Sequence, residues 1–205
     1  GFTVTESSGS TAVTEGGGTD TFTVVLTAEP DSNVVISVVS ADTGEATVSA
    51  ASLTFTTGNW DSAQTITVTG VDDDIIDGSI NTTITLAVVD GSSDNNFDPL
   101  ANQTVTAATA DNDSAGFTVT ESSGSTAVTE GGGTDTFTVV LTAEPDSNVV
   151  ISVVSADTGE ATVSAASLTF TTGNWDSAQT ITVTGVDDDI IDGSINTTIT
   201  LAVVD

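Results

Sequence analysis

Thr65-Ile66-Thr67-Val68-Thr69-Gly70-Val71-Asp72-Asp73-Asp74-Ile75-Ile76-Asp77-Gly78 decides how this chain reads. The first half alternates, with Ile66 and Val68 on one face and threonines on the other, which is the period of a half-buried strand. Thr, Val and Ile suit a pleated surface. The second half places four carboxylates, Asp72, Asp73, Asp74 and Asp77, within six residues. They repel one another unless a cation sits among them. The same stretch returns at residues 180–193.

That recurrence belongs to a much larger one. Gly116-Phe117-Thr118-Val119-Thr120-Glu121 answers Gly1-Phe2-Thr3-Val4-Thr5-Glu6, a period of 115 residues, and residues 116–205 match 1–90 without a difference. A period this long is a whole domain rather than a solenoid rung. The expected units are 1–115, a complete repeat, and 116–205, an identical repeat without the counterpart of 91–115.

Within the first copy, short strands are expected at Phe2–Thr5, Ala12–Glu15, Thr21–Thr27, Val34–Val39, Ala46–Val48, Leu53–Phe55, around Ile66 and Val68, Asn81–Val89 and Gln103–Ala108. Phe22, Val24 and Leu26 share a face, as do Ile84, Leu86 and Val88, and Val105 and Ala107. Gly16-Gly17-Gly18, Pro30-Asp31-Ser32-Asn33 and Gly58-Asn59-Trp60-Asp61 break the runs. No helical period occurs. This pattern is all-β and reads as tandem Greek-key, Ig-like β-sandwich domains.

Composition narrows the function. Among 205 residues, Asp and Glu total 30, and Lys, Arg, His and Cys are absent. Nucleic acid and anionic membranes need basic contacts, so neither is an expected partner. Disulfides and thiolate metal sites are excluded. Without His, Cys, Lys, Arg or Tyr, the chain is read as no enzyme. No apolar run reaches spanning length. Divalent cations are the natural partners. Ca²⁺ takes six to eight oxygens from flexible loops, whereas Zn²⁺ favours His and Cys. An EF-hand starting at Asp72 fails, with Ile76 at position five and Thr83 at position twelve. Glu15-Gly16-Gly17-Gly18-Thr19-Asp20 approaches the RTX nonapeptide but occurs once per repeat, so it is read as a Gly turn carrying Glu15. Trp60 and Trp175 are read as loop anchors on the core rather than sugar platforms. Thr65/Thr67 and Thr104/Thr106 are read as strand threonines rather than an ice-binding array. Asn81-Thr82-Thr83 is a glycosylation sequon whose use depends on the host.

Val13-Thr14-Glu15-Gly16-Gly17, Leu53-Thr54-Phe55, Asn59-Trp60, Val68-Thr69-Gly70-Val71-Asp72-Asp73-Asp74 and Asp111-Asn112-Asp113 together resemble a bacterial Calx-beta-like repeat. Such repeats resemble the extender modules of giant RTX-type adhesins. The resemblance implies Ca²⁺ ions at one end of each sandwich. Its ligands would be Glu15, Asp42, Asp72, Asp73, Asp74, Asp77, Asp111 and Asp113, with the backbone carbonyl of Ile75. The second-copy counterparts are Glu130, Asp157, Asp187, Asp188, Asp189, Ile190 and Asp192. Two positions depart from the family pattern: Ile80 stands where eukaryotic members carry an acid, and Thr43-Gly44-Glu45 after Asp42 is unusual. The resemblance further implies an extracellular, calcium-stiffened spacer on a bacterial cell surface, with neighbouring identical repeats as its partners. A self-assembling fibre or surface-layer subunit, and a carbohydrate- or ice-binding module, are the alternatives.

The second copy stops at Asp205, the equivalent of Asp90, so an open edge and an incomplete metal site are expected there. Three readings are open. The sequence is simply cut there, or another chain donates the last strand, or Gln103–Ala108 pairs forward into the second copy.

Overall fold

A computed structural model describes residues 1–191 and 193–204. Contacts divide the chain into two compact units, residues 1–73 with 77–112, and residues 74–76 with 113 onward. Unit 1 carries strands β1 (Phe2–Glu6), β2 (Thr11–Thr14), β3 (Thr19–Leu26), β4 (Val34–Ser40), β5 (Ala46–Val48), β6 (Ser52–Phe55), β7 (Gln64–Gly70), β8 (Ile80–Val88) and β9 (Gln103–Ala110). They form two sheets, β1-β3-β7-β5 and β2-β9-β8-β4-β6.

The alternation seen in the sequence becomes the core. Phe22, Val24 and Leu26 of β3 and Ile66 and Val68 of β7 are buried with Val34, Ile36 and Val38 of β4, Ile84 and Leu86 of β8, and Val105 and Ala107 of β9. Each such Val, Leu, Ile or Phe contributes about 1.5–3 kcal/mol by leaving water. Trp60 packs partly buried against this core, and its carbonyl accepts the Leu26 N–H at 3.1 Å, so it anchors its loop. Trp175 does the same for Leu141 at 3.2 Å.

All but one of unit 1's strand pairs are antiparallel. The exception is β2 with β9, which runs parallel from Thr11↔Ala107 to Thr14↔Ala110. β9 also pairs with β8, from Ile80↔Thr109 to Leu86↔Gln103. The strand at Gln103–Ala110 therefore closes its own repeat and does not pair forward. Because the β2–β9 ladder is parallel, both strands exit at one end of the sandwich. β7 also exits there, and β5 and β8 enter there. Sequence segments almost 100 residues apart are thereby gathered at one rim.

Unit 2 contains β10 (Phe117–Glu121), β11 (Thr134–Leu141), β12 (Val149–Ser155), β13 (Ala161–Val163), β14 (Ser167–Phe170), β15 (Gln179–Gly185) and β16 (Ile199–Val203). Its sheets are β10-β11-β15-β13 and β14-β12-β16. The first sheet repeats that of unit 1 strand for strand. The second has three strands among the described residues, where unit 1 has five. Residues 126–129 and 195–198, whose counterparts in unit 1 are β2 and the first half of β8, are not strands. Ile199, Leu201 and Val128 are only partly buried, whereas Ile84, Leu86 and Val13 are buried.

Candidate metal centre

Five carboxylates at the rim of unit 1, with Asp113 directly after it in the chain, fall into two groups. Glu15, Asp111 and Asp113 each offer an oxygen within 4.8 Å of the others, and so do Glu45, Asp73 and Asp77. Each member is placed by backbone geometry. Glu15 follows β2, and its N–H donates to the Ala110 carbonyl at 3.1 Å, which extends the parallel ladder by one residue. Its side chain is only 4% exposed, and its Oε2 accepts the Asn112 N–H at 3.2 Å. Gly16 then turns the chain away at φ +73°, a conformation that disfavours side chains. A Cβ there would lie 3.2 Å from Asn112 Nδ2 and 3.4 Å from Asp72 Oδ1.

Gly70 serves the same rim from the other sheet. A Cβ at Gly70 would sit 2.2 Å from the Thr14 carbonyl oxygen. Only glycine lets the end of β7 approach the end of β2 this closely, which delivers Asp72 and Asp73 beside Glu15. Glu45 is delivered by β5. The Val71 N–H donates to the Glu45 carbonyl at 2.9 Å, tying the residue before β5 to the residue after β7. Asp111 Oδ2 accepts the Gly78 N–H at 2.8 Å, which ties the acidic loop to the end of β9.

The electrostatics of the rim are strained at neutral pH. Burial, then the charges of Asp73, Asp111 and Asp77, push Glu15 above the ordinary carboxylate range, although the Asn112 N–H pulls the other way. Burial and the charges of Asp77, Asp73, Asp42 and Glu15 push Glu45 up likewise. Oε2 of Glu45 is shielded from solvent and has no hydrogen-bond partner. A buried anionic oxygen of this kind is costly unless a cation meets it.

Of the residues expected from sequence, Glu15, Asp73, Asp77, Asp111 and Asp113 are brought together. Asp72 lies beside them, with Oδ1 accepting Asn112 Nδ2 at 3.1 Å, but it joins neither group. Asp42 also stands outside both. It is exposed and its Oδ1 accepts the Gly44 N–H at 2.9 Å, a local turn contact. Asp74 and Ile75 group with unit 2, where the Asp74 carbonyl accepts the Glu144 N–H at 2.7 Å and Ile75 forms a bridge with Glu144. Glu45 is the acid the sequence reading passed over. The signal was there: it directly precedes Ala46-Thr47-Val48, a strand entry, as Asp72 follows a strand exit.

The second copy gathers no such group among its described residues. Glu130 is exposed where Glu15 is buried. Asp157 Oδ1 accepts the Gly159 N–H at 2.9 Å, as Asp42 does for Gly44. Asp187, Asp188 and Asp189 are exposed, with Asp188 Oδ1 accepting the Ile190 N–H at 2.7 Å, and Ile190 is exposed too. Asp192 lies outside the described residues. The physical reason is β9. In unit 1 the strand and the Asp111-Asn112-Asp113 segment cover Glu15, and among the described residues of unit 2 no strand pairs with residues 126–129.

A comparison with family models matches the Calx-beta domain at residues 2–113 and again at 111–204. Comparison with curated proteins gives no match. Among solved structures, the calcium binding domain CBD12 of CALX1.1 is 19% identical, over 88% of this chain and 74% of that one, with a TM-score of 0.40. CBD12 from CALX1.2 is 13% identical, over 97% of this chain and 79% of that one, with a TM-score of 0.38. The CsuC–CsuE chaperone–tip adhesion subunit complex of Acinetobacter baumannii Csu pili is 7% identical, over 98% of this chain and 97% of that one, with a TM-score of 0.41.

Proposed function

The chain belongs to the Calx-beta family, in two tandem copies, and from that premise we propose that it is a calcium-stabilised module of an extracellular bacterial surface protein, acting as a spacer. The observation that carries this reading is the pair of three-carboxylate groups, five of whose six members lie at one rim of unit 1, in a chain with no basic side chain. Glu15, Asp111 and Asp113 would hold one ion and Glu45, Asp73 and Asp77 another. The solvent-shielded, unpartnered Oε2 of Glu45 fits such an ion. A bound Ca²⁺ supplies positive charge and several coordination positions for oxygen. The protein supplies the rest. The parallel β2–β9 ladder, Gly70 and the Glu45–Val71 hydrogen bond hold the carboxylates in place while they are still mutually repulsive.

The consequence is mechanical. Without cations the six charges drive apart the ends of β2, β7 and β9 and the start of β5. With cations they hold these strands together, which suits a module whose task is to keep its shape and span distance. Extracellular calcium modules commonly bind at about 10⁻⁴–10⁻³ M. Thermal melts in EDTA, in millimolar CaCl₂ and in millimolar MgCl₂ test the proposal. A rise of several degrees specific to Ca²⁺ is expected, and coincident melts in all three would overturn it.

A further inference from the structure

We propose that the Asp98–Pro99 peptide bond is an acid-triggered self-cleavage site, opened by the Asp98 side chain itself with Asp90 carrying its proton. The bond lies in the loop of residues 89–102 that joins β8 to β9. It is the one Asp-Pro bond of the sequence; Pro30 and Pro145 follow Glu29 and Glu144.

The loop presents this bond in a fixed setting. Asp98–Pro99 is the centre of a turn, closed by the Leu100 N–H donating to the Phe97 carbonyl at 3.1 Å. Phe97 is buried and Leu100 packs partly buried against the core, so both ends of the turn are anchored. Upstream, Asp94 accepts the Asp31 N–H at 2.6 Å and the Asn96 N–H at 2.8 Å, and its own N–H donates to the Asn33 carbonyl at 2.9 Å. Downstream, β9 is paired on both sides.

Asp98 carries the reactive group. Its Oδ1 is shielded from solvent and has no hydrogen-bond partner, so its lone pairs are free to attack. Its carboxyl group is hydrogen-bonded to that of Asp90, which requires a proton between them. Burial, then the charge and hydrogen bond of Asp90, then the charge of Asp94, hold that proton on Asp98 above its ordinary value of 3.8. Asp90 and Asp94 are the charged groups facing it, and the chain has no Lys, Arg or His to offset them.

The reaction needs no co-reactant but water. Oδ1 attacks the main-chain carbonyl carbon of Asp98, forming the C–O bond of a five-membered cyclic anhydride. The C–N bond to Pro99 breaks and its electron pair stays on nitrogen. The carboxyl proton, relayed through Asp90, goes to that nitrogen. Water then opens the anhydride, leaving a C-terminal carboxyl on Asp98 and a free amino terminus on Pro99. Attack within one residue is favoured by orientation. Proline suits the departing side, since its nitrogen bears no N–H to be held in a hydrogen bond. A glutamate would need a six-membered ring, so the two Glu-Pro bonds are internal controls. Once cut, unit 1 is held together by the pairing of β9 with β2 and β8 rather than by a continuous chain.

The experiment incubates the full chain at pH values from about 3 to 7 and follows mass after denaturation. Fragments 1–98 and 99–205 are expected. A synthetic peptide of residues 94–103 is the unstructured reference. Near pH 5 the folded chain should cleave several-fold faster than the peptide, because the fold keeps the proton on Asp98. Asp98→Ala and Asp98→Glu should leave the chain intact, with circular dichroism checking that each is folded. Asp90→Asn should move the pH profile to the acid side in a chain whose melt is unchanged. Cleavage no faster than in the peptide, cleavage that survives Asp98→Glu, or equal cutting at Glu29–Pro30 overturns the proposal. An unmoved profile in Asp90→Asn overturns the part given to Asp90. Calcium takes no part in the step, so this experiment and the melts in calcium fail independently.

Discussion

Replacing Glu45 by glutamine is expected to stabilise the metal-free chain and destabilise it relative to the parent in calcium. Three carboxylates with oxygens inside 4.8 Å make three repulsive pairs, and Glu45 enters two of them. At that separation each pair costs about 0.9 kcal/mol in bulk water and ~3.5 kcal/mol at an effective dielectric of about 20. Asp77 is exposed, so its share lies near the lower value. Glu45→Gln keeps the shape and removes one charge, which should relieve about 1–2 kcal/mol in EDTA. For a unit of this size that is roughly 4–8 °C per kcal/mol in Tm. The same substitution removes one anionic ligand. An ion held at ten to a hundred times its Kd adds about 1.4–2.7 kcal/mol, and most of this should be lost for that site. The two melting curves therefore cross: variant above parent in EDTA, and below it in calcium. Scanning calorimetry of both proteins in both buffers reads this directly. A variant that melts lower in EDTA would mean that Glu45 is an ordinary structural group, and one with an undiminished calcium response would remove it from the site.

The pH dependence of the metal-free chain should peak on the acid side. Glu15 and Glu45 are raised by burial from an ordinary value of 4.5, so the folded state holds their protons more tightly than the unfolded chain does. Their contribution is present at low pH and lost as pH rises through the raised values. Asp20 is lowered by hydrogen bonds from Ser7, Ala12 and Thr21, and Asp94 by those from Asn96, Asp31 and Ser32. Their contribution is present above the unfolded value and is lost as pH falls through the folded one. Melts in EDTA should rise from pH 7, peak at about pH 4–5 and then drop; a steady fall from pH 7 would contradict this. Calcium should flatten the rise between pH 7 and the peak.

Gly70→Ala should cost about 1–3 kcal/mol, because the new methyl meets the Thr14 backbone at 2.2 Å. Gly91→Ala, with no atom within 4 Å of the new methyl, is the neutral control by urea titration. Asp94→Ala leaves the N–H groups of Asp31, Ser32 and Asn96 without their acceptor and should cost about 1–3 kcal/mol on the same measurement.

Much of the fold was legible because strand alternation is a local property. Phe22, Val24 and Leu26, or Ile84 and Leu86, announce an inward face within five residues, and those faces are buried as expected. Of the triple Asp after a strand, only Asp73 joins a carboxylate group. What could not be read locally was which acids meet. Glu15 and Asp111 are 96 positions apart and become neighbours only through the parallel β2–β9 pairing. Asp42 and Glu45 lie three positions apart, and no local pattern tells which of them meets the other acids. The structure gives Asp42 to a turn and Glu45 to the carboxylate group, because the Val71 N–H holds the Glu45 backbone at the exit of β7. The repeat itself makes the division plain. Residues 1–90 and 116–205 are the same sequence, and the sequence determines that both form the same four-stranded first sheet. Yet Glu15 is 4% exposed and Glu130 is exposed. In unit 1 the burial of Glu15 and the gathering of its carboxylate neighbours depend on β9 lying alongside β2 and β8, a pairing of distant segments that no local pattern announces and only the tertiary structure decides.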